Sequence, residues 1–384
     1  MTSTENWQGQ LALMVAHCAG MVALVALPVL VGTLVAQYGF DAQRAGGLVT
    51  LYLGGAVAGS LFFAPYLNRF HARSAATAGY ACAALAFAGL AGSGDYGAMA
   101  LLHGLAGIAA GSALSFTHGT IGRSAQPHRL FGMVSIALGI FAIAFLGGTP
   151  KLVAMVGGPA LYWVLGASML AAACVAAIAF PTAPQGERSS GGAGEAGQPL
   201  SAAAWLGAVG LAFFSLMNAT VFSFVERIGI ERGFGSEAVS GVLVAIGLIN
   251  LFPAPLAVFL ERRWSARAVV LAGPLVLAVL ALVVTRSVDF LPYAAAAGFL
   301  PGVLLFVHTF AFGLLARLDP SGRILAATPA MMMTGAALGP ILGGTVVTLA
   351  GYDNLGLVVV LVAPLAIACF ARARPAPAVA AQIT

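Results

Sequence analysis

Charged residues are scarce in this sequence. They make up 8% of its 384 residues, and 60% of the residues are hydrophobic, whereas a typical soluble domain carries about 25% charged residues. The scarcity excludes an ordinary soluble protein and leaves too little polar sequence for a soluble catalytic domain. Because one bilayer crossing takes about 20 apolar residues, the chain is predicted to form about a dozen membrane-spanning helices joined by short connections.

Cysteine is also rare. The four cysteines lie singly within apolar runs, so we interpret them as small core residues and not as paired thiols. The sequence lacks His-Glu-x-x-His, Gly-x-Ser-x-Gly and a Walker-type phosphate loop. The three methionines of segment 331–333 point in three directions around a helix, which favours packing over a soft-metal site. We therefore expect no catalytic residue, no cofactor and no metal, and a protein that is not an enzyme.

The hydrophobic runs predict an all-α membrane protein with twelve transmembrane helices in two six-helix halves. The first run is too long for a secretory signal and has no basic segment before it. We divide the chain into an N-terminal half (1–180), a linker rich in glycine, serine and proline (181–200) and a C-terminal half (201–384). The predicted helices cover about residues 10–36, 46–67, 75–94, 96–119, 130–156, 159–180, 202–226, 237–260, 268–286, 291–316, 326–350 and 355–371.

Basic residues are distributed unevenly over the two sides of this topology. If the N-terminus is cytoplasmic, twelve of the 17 lysines and arginines lie on the cytoplasmic side and five lie outside. The positive-inside rule therefore predicts cytoplasmic termini, in a multi-pass protein of a bacterial-type inner membrane. The formal net charge of +5 has this topological explanation, so we expect a lipid bilayer and not nucleic acid as the partner of the chain.

The two halves repeat each other when residue 68 is aligned with residue 262. The loop segment 68–73 then falls on 262–267, both after the second helix of a half. Parallel six-helix repeats, related by a pseudo-two-fold axis along the membrane normal, are the architecture of alternating-access carriers, whose solute site lies between the halves. Other equivalent pairs are Gly39 and Gly233, Gly79 and Gly273, Arg123 and Arg317, and Arg129 and Arg323.

Segment 68–73 (NRFHAR) resembles the Asp-Arg-x-Gly-Arg loop motif of the major facilitator superfamily, and the resemblance covers essentially the whole chain. Asn68 stands where the family usually has Asp, and His71 where it has Gly. In the family this acid pairs with loop arginines and helix ends to hold the cytoplasmic side closed. A neutral Asn68 loses the charge assistance, so we expect a weaker latch. The residues expected at this cytoplasmic gate are Asn68, Arg69, Arg73, Arg123, Arg129, Arg263, Arg267, Arg317 and Arg323.

Two glycine-rich helices also resemble motifs of the superfamily. Segment 103–109 (HGLAGIA) is similar to Arg-x-x-x-Gly-x-(Gly/Ala), with His103 replacing the arginine that the family associates with proton handling. Histidine can release its proton at physiological pH. Segment 335–344 (GAALGPILGG) matches Gly-x-x-x-Gly-Pro-x-x-Gly-Gly, which is typical of exporters of the family when it lies in the fifth helix. Here it lies in the eleventh helix, and the fifth lacks the central Gly-Pro, which weakens the export interpretation. The small residues expected where helices approach and slide are Gly107, Gly111, Gly335, Gly339, Pro340, Gly343 and Gly344.

Ionisable side chains inside a membrane are costly, so those present are candidate functional residues. The predicted helices carry no Asp or Glu at mid-depth, and the deepest acid is Glu226. Spans one, four, seven and ten line the central cavity in the family's arrangement, and they carry four of the six histidines. The predicted solute and proton pathway consists of His17, His103, Ser215, Asn218, Glu226 and His308.

Along the fourth helix, His103, Gly107, Gly111 and His118 recur at helical spacing, which predicts one polar face. His118 lies near the end of this helix, where an interfacial position is the better interpretation, and we leave it out of the pathway. For each pathway residue an interhelical hydrogen bond without a role in transport is the alternative.

These observations predict a secondary transporter that works as a monomer by alternating access, coupled to protons. Because the deep groups are neutral or cationic, we expect a small neutral, zwitterionic or anionic organic solute. His103, with Glu226 or His17, is expected to change protonation during transport. One alternative is a proton-antiport exporter of drugs or secreted metabolites, in line with segment 335–344. Another, from a different class, is a non-transporting membrane sensor or a membrane-embedded enzyme, although the terminal segments are short for a sensor domain and no clustered nucleophile and base is visible.

Overall fold

A computed structural model gives the fold of the chain. In the described part of the chain the regular secondary structure is helical, with no strand, and twelve segments are long and apolar enough to cross a membrane. The predicted all-α fold with twelve spans is therefore confirmed. Asn68 and most of the predicted linker 181–200 lie outside the described residues. The structure describes residues 3–66, 69–181, 200–319 and 323–374.

Each of the six spans of the N-terminal half is one helix. The second helix begins four residues before its predicted start because Asp41 caps it: the carboxylate accepts a hydrogen bond from the Arg44 backbone N–H at 2.7 Å. Asp95 caps the fourth helix in the same way, through the Ala98 N–H at 2.8 Å. The helices are α1 (Trp7–Ala36), α2 (Ala42–Phe63), α3 (Ala72–Ala91), α4 (Tyr96–Gly122), α5 (Pro127–Val156) and α6 (Pro159–Ala179).

Two of the six spans in the C-terminal half are interrupted, which the sequence prediction of single helices did not include. The seventh span breaks after Phe222, and the eighth breaks at Asn250. Pro253 and Pro255 follow the second break, and neither has a backbone N–H to donate to the preceding turn. The helices are α7 (Ala202–Phe222) and α8 (Val225–Glu231), α9 (Ser236–Ile249) and α10 (Pro253–Leu260), α11 (Ala266–Arg286), α12 (Phe290–Leu318), α13 (Arg323–Ala350) and α14 (Leu355–Arg372).

The backbone follows the sequence repeat at two equivalent glycines. Gly39 has a φ of 69° and Gly233 a φ of 78°, and each lies in the loop after the first span of its half. This left-handed conformation favours glycine because a side chain would clash there. The two halves therefore make the same turn at the position that the repeat predicts.

The halves meet first along α2 and α13. We call the membrane face at which α1 begins and α14 ends the terminal face, and the opposite face the distal face. Thr50 Oγ1 donates a hydrogen bond to the Ala337 carbonyl at 2.6 Å, and Gln43 Nε2 donates to Thr345 Oγ1 at 3.2 Å. A Cβ atom on Gly46 would overlap the α13 backbone. Because α2 begins and α13 ends at the distal face, this contact lies in the distal part of the membrane.

The second contact between the halves joins α5 to α9. A Cβ atom on Gly247 would lie 3.0 Å from Ile143 Cγ1, and one on Gly147 would lie 3.1 Å from Val244 Cγ2. This contact extends from the distal part to about the middle of α5, where Gly139 packs against the break between α9 and α10. Glycines thus allow close approach of the halves on both sides of the bundle.

Candidate functional site

A pair of histidines joins α1 to α4. His17 Nδ1 and His118 Nε2 are 3.0 Å apart. His17 is 6% exposed, and the Phe131 ring of α5 packs on His118 at a centroid distance of 5.7 Å. A hydrogen bond between two imidazoles needs one nitrogen to donate and the other to accept. The pair can therefore bind one extra proton and keep its hydrogen bond, and a second extra proton would break it.

A buried tyrosine holds α1 and α4 together at the same level. Tyr80 of α3 donates a hydrogen bond to the Ala16 carbonyl at 2.7 Å, and its hydroxyl lies 3.2 Å from Thr117 Oγ1. Ala16 and Thr117 directly precede His17 and His118 in the sequence. Tyr80 therefore holds the α1 and α4 segments that carry the histidine pair against each other.

His103 has a different environment. Its Nδ1 lies 2.7 Å from the Met99 carbonyl oxygen, and its Nε2 lies 3.4 Å from the Tyr162 hydroxyl of α6. The side chain is 1% exposed. Both ring nitrogens thus have partners inside the N-terminal half. The geometry favours a packing role for His103, and its role in proton transfer stays a prediction from the sequence.

The predicted polar face of α4 is divided among three neighbouring helices. His103 faces α6, Gly107 and Gly111 pack on the α2 backbone, and His118 faces α1. At about 100° per residue the four positions fall within an arc of about 80° on α4. They therefore do share one side of the helix, and the neighbouring helix that this side contacts changes with depth along α4.

Five buried side-chain polar atoms of the C-terminal half have no hydrogen-bond partner among the described residues. Two of them, Glu226 Oε2 and Arg227 Nε, are adjacent in α8, and the other three belong to uncharged side chains. These three are Asn218 Oδ1 on α7, His308 Nε2 on α12 and Asn250 Oδ1 at the break between α9 and α10. Ser215, one turn before Asn218, is buried as well. A buried polar atom without a partner costs about 1–3 kcal/mol. A bound solute or water could supply the missing partners, so these atoms have capacity for a ligand.

Glu226 lies where α8 meets α1 of the other half. A Cβ atom on Gly32 would lie 2.7 Å from the Glu226 carboxylate. The Oε2 atom is buried and has no partner among the described residues. The next side chain, Arg227, places Nη2 3.9 Å from the Glu231 carboxylate. Glu226 is thus an acid at the distal contact of the two halves, and its role in the pathway stays a prediction from the sequence.

Two of the repeated loop arginines cap the last helix of their own half. Arg73 Nη2 donates a hydrogen bond to the Phe180 carbonyl at 2.9 Å, and Arg267 Nη2 donates to the Ala371 carbonyl at 3.0 Å. Both carbonyls lie at the end of a helix, where backbone acceptors lose their intrahelical donors. The side chain of Arg323 lies outside the described residues. The remaining predicted gate arginines are exposed at the terminal face: Arg69, Arg123, Arg129, Arg263 and Arg317.

The glycine-rich run of α13 makes contacts on two sides. Gly335, Gly339 and Gly343, each four residues apart, pack on α7 within the C-terminal half. Pro340 and Gly344 face α2 of the other half. The run that resembles an exporter motif therefore contributes both to packing within a half and to the contact between halves.

Sequence reasoning left out two residues that the structure singles out. His118 was set aside because it lies near the end of its helix, and nothing in a single sequence places it opposite His17. Asn250 had a signal that was not used: it lies just before Pro253 and Pro255 in the middle of an apolar run. The described residues contain no group of three or more His, Cys, Asp or Glu side chains that could hold a metal ion.

Comparisons with known proteins agree with this architecture. A family model described as Major Facilitator Superfamily matches residues 12–320, and no curated protein matches the chain. The chain is similar to the crystal structure of a bacterial homologue of the human lysosomal transporter Spinster, in an inward-facing and unoccupied conformation. The TM-score is 0.77, with 12% sequence identity over 97% of this chain and 100% of that chain, a likeness in fold. Since the family model spans more than half of its length, this chain belongs to the major facilitator superfamily and is a membrane transporter, not an enzyme.

Proposed function

We propose that this protein is a proton-coupled secondary transporter of a bacterial-type inner membrane. It works as a monomer with cytoplasmic termini and moves a small neutral, zwitterionic or anionic organic solute by alternating access. The proposal rests on one observation: the contacts of α2 with α13 and of α5 with α9 join the halves toward the distal face, and the loop arginines at the terminal face are exposed. This arrangement fits a carrier open at the terminal face, the state reported for the Spinster homologue.

The contact surfaces are suited to separate during transport. At Gly46, Gly139 and Gly344 one helix lies so close to the other half that a Cβ atom would overlap it. Surfaces of this kind hold few interlocking side chains that must change rotamer before the halves part. Opening of the distal side then requires the loss of van der Waals contact and of a few hydrogen bonds, such as the one from Thr50 to Ala337.

Two sites are proposed to exchange protons at different stages. The His17–His118 pair joins the two helices that line the N-terminal side of the cavity in the family's arrangement, and it can bind one extra proton without breaking its hydrogen bond. Glu226 lies in the distal contact, where an unpaired carboxylate would cost several kcal/mol to bury. Closure of the distal side and neutralisation of Glu226 therefore favour each other, which couples the conformational change to protons.

The solute is proposed to bind between His17 of the N-terminal half and Asn218 and His308 of the C-terminal half. The Asn218 and His308 side chains each keep a buried polar atom without a partner among the described residues. An amide and a neutral imidazole can both donate and accept hydrogen bonds. They suit hydroxyl, carbonyl or carboxylate groups. The acid nearest to Asn218 in the sequence, Glu226, faces α1.

The experiment is a thermal-shift screen of the purified protein against carboxylic acids, amino acids and antibiotics, followed by transport assays. Each hit is added to proteoliposomes that contain a pH-sensitive dye. We expect solute flux to move protons in the intact protein. Asn218→Ala should lose the thermal shift, while Ser135→Ala, an exposed serine of α5, should keep it. Solute flux without proton movement would contradict the coupling.

Export of drugs or secreted metabolites is the second candidate. The observation that favours it is the position of Pro340 and Gly344, since the exporter-like run of α13 contacts α2 across the two halves. Counterflow measured in right-side-out and inside-out vesicles distinguishes the two directions. Faster exchange of internal solute in right-side-out vesicles supports export, and the opposite result supports uptake.

A further inference from the structure

A groove of about 530 Å³ opens between α11 and α12 on the side of the C-terminal half away from α2 and α5. It extends from the terminal face along the first half of α11. Its wall is largely apolar and includes Ala272, Val276 and Val303, and its charged residue is Arg263. The volume lies within the range of about 300–1,000 Å³ that is typical of ligand sites.

The equivalent helices of the N-terminal half, α3 and α4, pack closely at Gly79. A Cβ atom on Gly79 of α3 would lie 2.9 Å from Ala113 Cβ of α4. In the repeat, Gly79 corresponds to Gly273 and Ala113 corresponds to Val307. A Cβ atom on Gly273 would instead meet the isopropyl group of Val307, at 2.6 Å from Cγ2. The glycine is kept, but a branched side chain replaces the alanine.

A second pair of positions shows the same difference. Ala109 of α4 corresponds to Val303 of α12, and a Cβ atom on Gly79 would lie 2.8 Å from the Ala109 carbonyl oxygen. Val303 lines the groove. Small residues let α3 and α4 approach backbone to backbone. Val303 and Val307 both line the groove, so the branched side chains that replace the two alanines form part of its apolar wall.

We propose that this groove binds one anionic phospholipid of the surrounding membrane. An acyl chain lies along the apolar wall between α11 and α12, and the phosphate binds the Arg263 guanidinium at the terminal face. The site is on the outside of the C-terminal half, so the lipid is distinct from the transported solute.

The charges and aromatic groups around the mouth fit this ligand. A guanidinium can bind a phosphate through two parallel hydrogen bonds, and basic groups between transmembrane helices at the membrane surface suit anionic head groups. Trp264 is 52% exposed and packs on Phe306 at a centroid distance of 5.9 Å, as expected of an aromatic residue at the level of the head groups. The nearby acid Glu261 lies 3.8 Å from the Cβ position of Gly313 on α12, and it does not line the groove.

Native mass spectrometry of the delipidated full chain tests the charged end of the site. We expect one phosphatidylglycerol per chain to remain bound, at about tenfold higher occupancy than phosphatidylcholine, because the choline cation of phosphatidylcholine offsets the charge of its phosphate and is repelled by the guanidinium. Arg263→Ala should lower phosphatidylglycerol occupancy about tenfold, because it removes the charged hydrogen bonds to the phosphate. Arg262→Ala is the matched control, an exposed neighbour that does not line the groove, and it should retain the lipid.

Filling the groove tests the apolar end. Ala272→Phe should displace the lipid, and Val279→Phe, at an exposed α11 position outside the groove, should not. Sodium phosphate should leave the bound lipid in place, because a free anion lacks the acyl chain. Unchanged occupancy in Arg263→Ala or in Ala272→Phe, equal binding of phosphatidylcholine, or displacement by phosphate would overturn the proposal. Melting temperatures of all four variants identify any variant that is unfolded. If Arg263→Ala or Ala272→Phe is unfolded, the lipid occupancy of the other one tests the proposal.

Discussion

The buried polar residues of this protein fall into two groups at the scale of single side chains. Tyr80 and His103 have partners within their own half and act as fixed parts of it. Asn218 and Glu226 each keep a buried oxygen without a partner among the described residues. Because unpaired buried polar atoms are costly, the second group is proposed to bind the solute and, at Glu226, a proton, together with the His17–His118 pair.

The roles of His118 and His103 can be separated by one substitution at each. We expect His118→Gln to abolish solute-driven proton movement, because glutamine cannot bind the proton that the His17–His118 pair shares. His103→Gln should retain it, since an amide can still donate to the Met99 carbonyl. The measurement is the dye signal in proteoliposomes. The reverse pattern would assign the proton to His103, as the sequence predicted.

Gly32→Ala tests the contact of Glu226 with α1. The added methyl group would lie 2.7 Å from the carboxylate, and overpacking of this kind costs about 1–3 kcal/mol. We expect the distal side to open more often, measured as faster labelling of Thr345→Cys by an impermeant maleimide added from the distal side. The double variant Gly32→Ala with Glu226→Ala should be labelled slowly again, because the carboxylate that the methyl group overlaps is removed. Unchanged labelling in Gly32→Ala would contradict the proposed contact.

At the scale of helices, small residues decide which pairs approach closely. The α13 glycines at 335, 339 and 343 pack on α7, and Pro340 and Gly344 face α2. Helix α13 therefore packs within its own half and also contacts the other half. The proposed opening of the distal side has to break the contact of α13 with α2 and keep the contact of α13 with α7.

Two glycines of α2 provide a matched test of that contact. In Gly46→Ala the new methyl group would overlap the Pro340 carbonyl, whereas a Cβ atom on Gly54 would meet nothing within 4 Å. We expect Gly46→Ala to destabilise the closed distal side by about 1–3 kcal/mol and Gly54→Ala to have no effect. Spin-label distances between the distal ends of α2 and α13 measure the difference. Equal spin-label distances in Gly46→Ala and Gly54→Ala would show that the contact between α2 and α13 does not depend on close approach at Gly46.

The sequence predicted the helices well and their breaks poorly. A hydrophobic run of about 20 residues is a strong local signal, so the number of spans could be predicted without any tertiary information. The limits of α2 moved because Asp41 caps it. The break at Asn250 interrupts a run that is apolar on both sides, and the break after Phe222 lies four residues before Glu226, at the end of the predicted run. Hydropathy detects neither as an interruption of a helix.

The candidate site was predicted less completely than the fold. The pathway residues could be named because polar groups are rare in apolar helices, and Asn218 and His308 do carry buried polar atoms without described partners. The pairing of His17 with His118 could not be predicted, because it depends on how two helices distant in sequence are rotated against each other. The contact of His103 with α6 could not be predicted either, because it depends on how α4 packs against its neighbours.

At the scale of the whole molecule, the two halves are proposed to form one carrier whose distal side is closed. Gln43 and Thr345 join the halves there through a hydrogen bond of 3.2 Å. In a chain that lacks the exposed Cys82 and Cys174, we expect Gln43→Cys with Thr345→Cys to be linked by a short bifunctional thiol reagent and transport to stop. Reduction of a cleavable linker should restore transport. Transport that continues in the linked protein would contradict alternating access.

The orientation of the whole molecule is a separate prediction. The distribution of arginine and lysine predicts that the termini and segment 181–200 lie in the cytoplasm. Alkaline phosphatase inserted in this segment should be inactive, and a fluorescent protein at the same site should fold. Active phosphatase would reverse the orientation of every span and with it the proposed direction of opening.

The capping of α6 by Arg73 and of α14 by Arg267 has a consequence for how the molecule is built. Each six-helix unit supplies the donor that completes its own final helix, so neither unit depends on the other to finish its backbone hydrogen bonding at these ends. Covalent continuity through segment 181–200 is then not required for these two caps. Two separately translated polypeptides, one for each unit, would each retain the cap of the last helix.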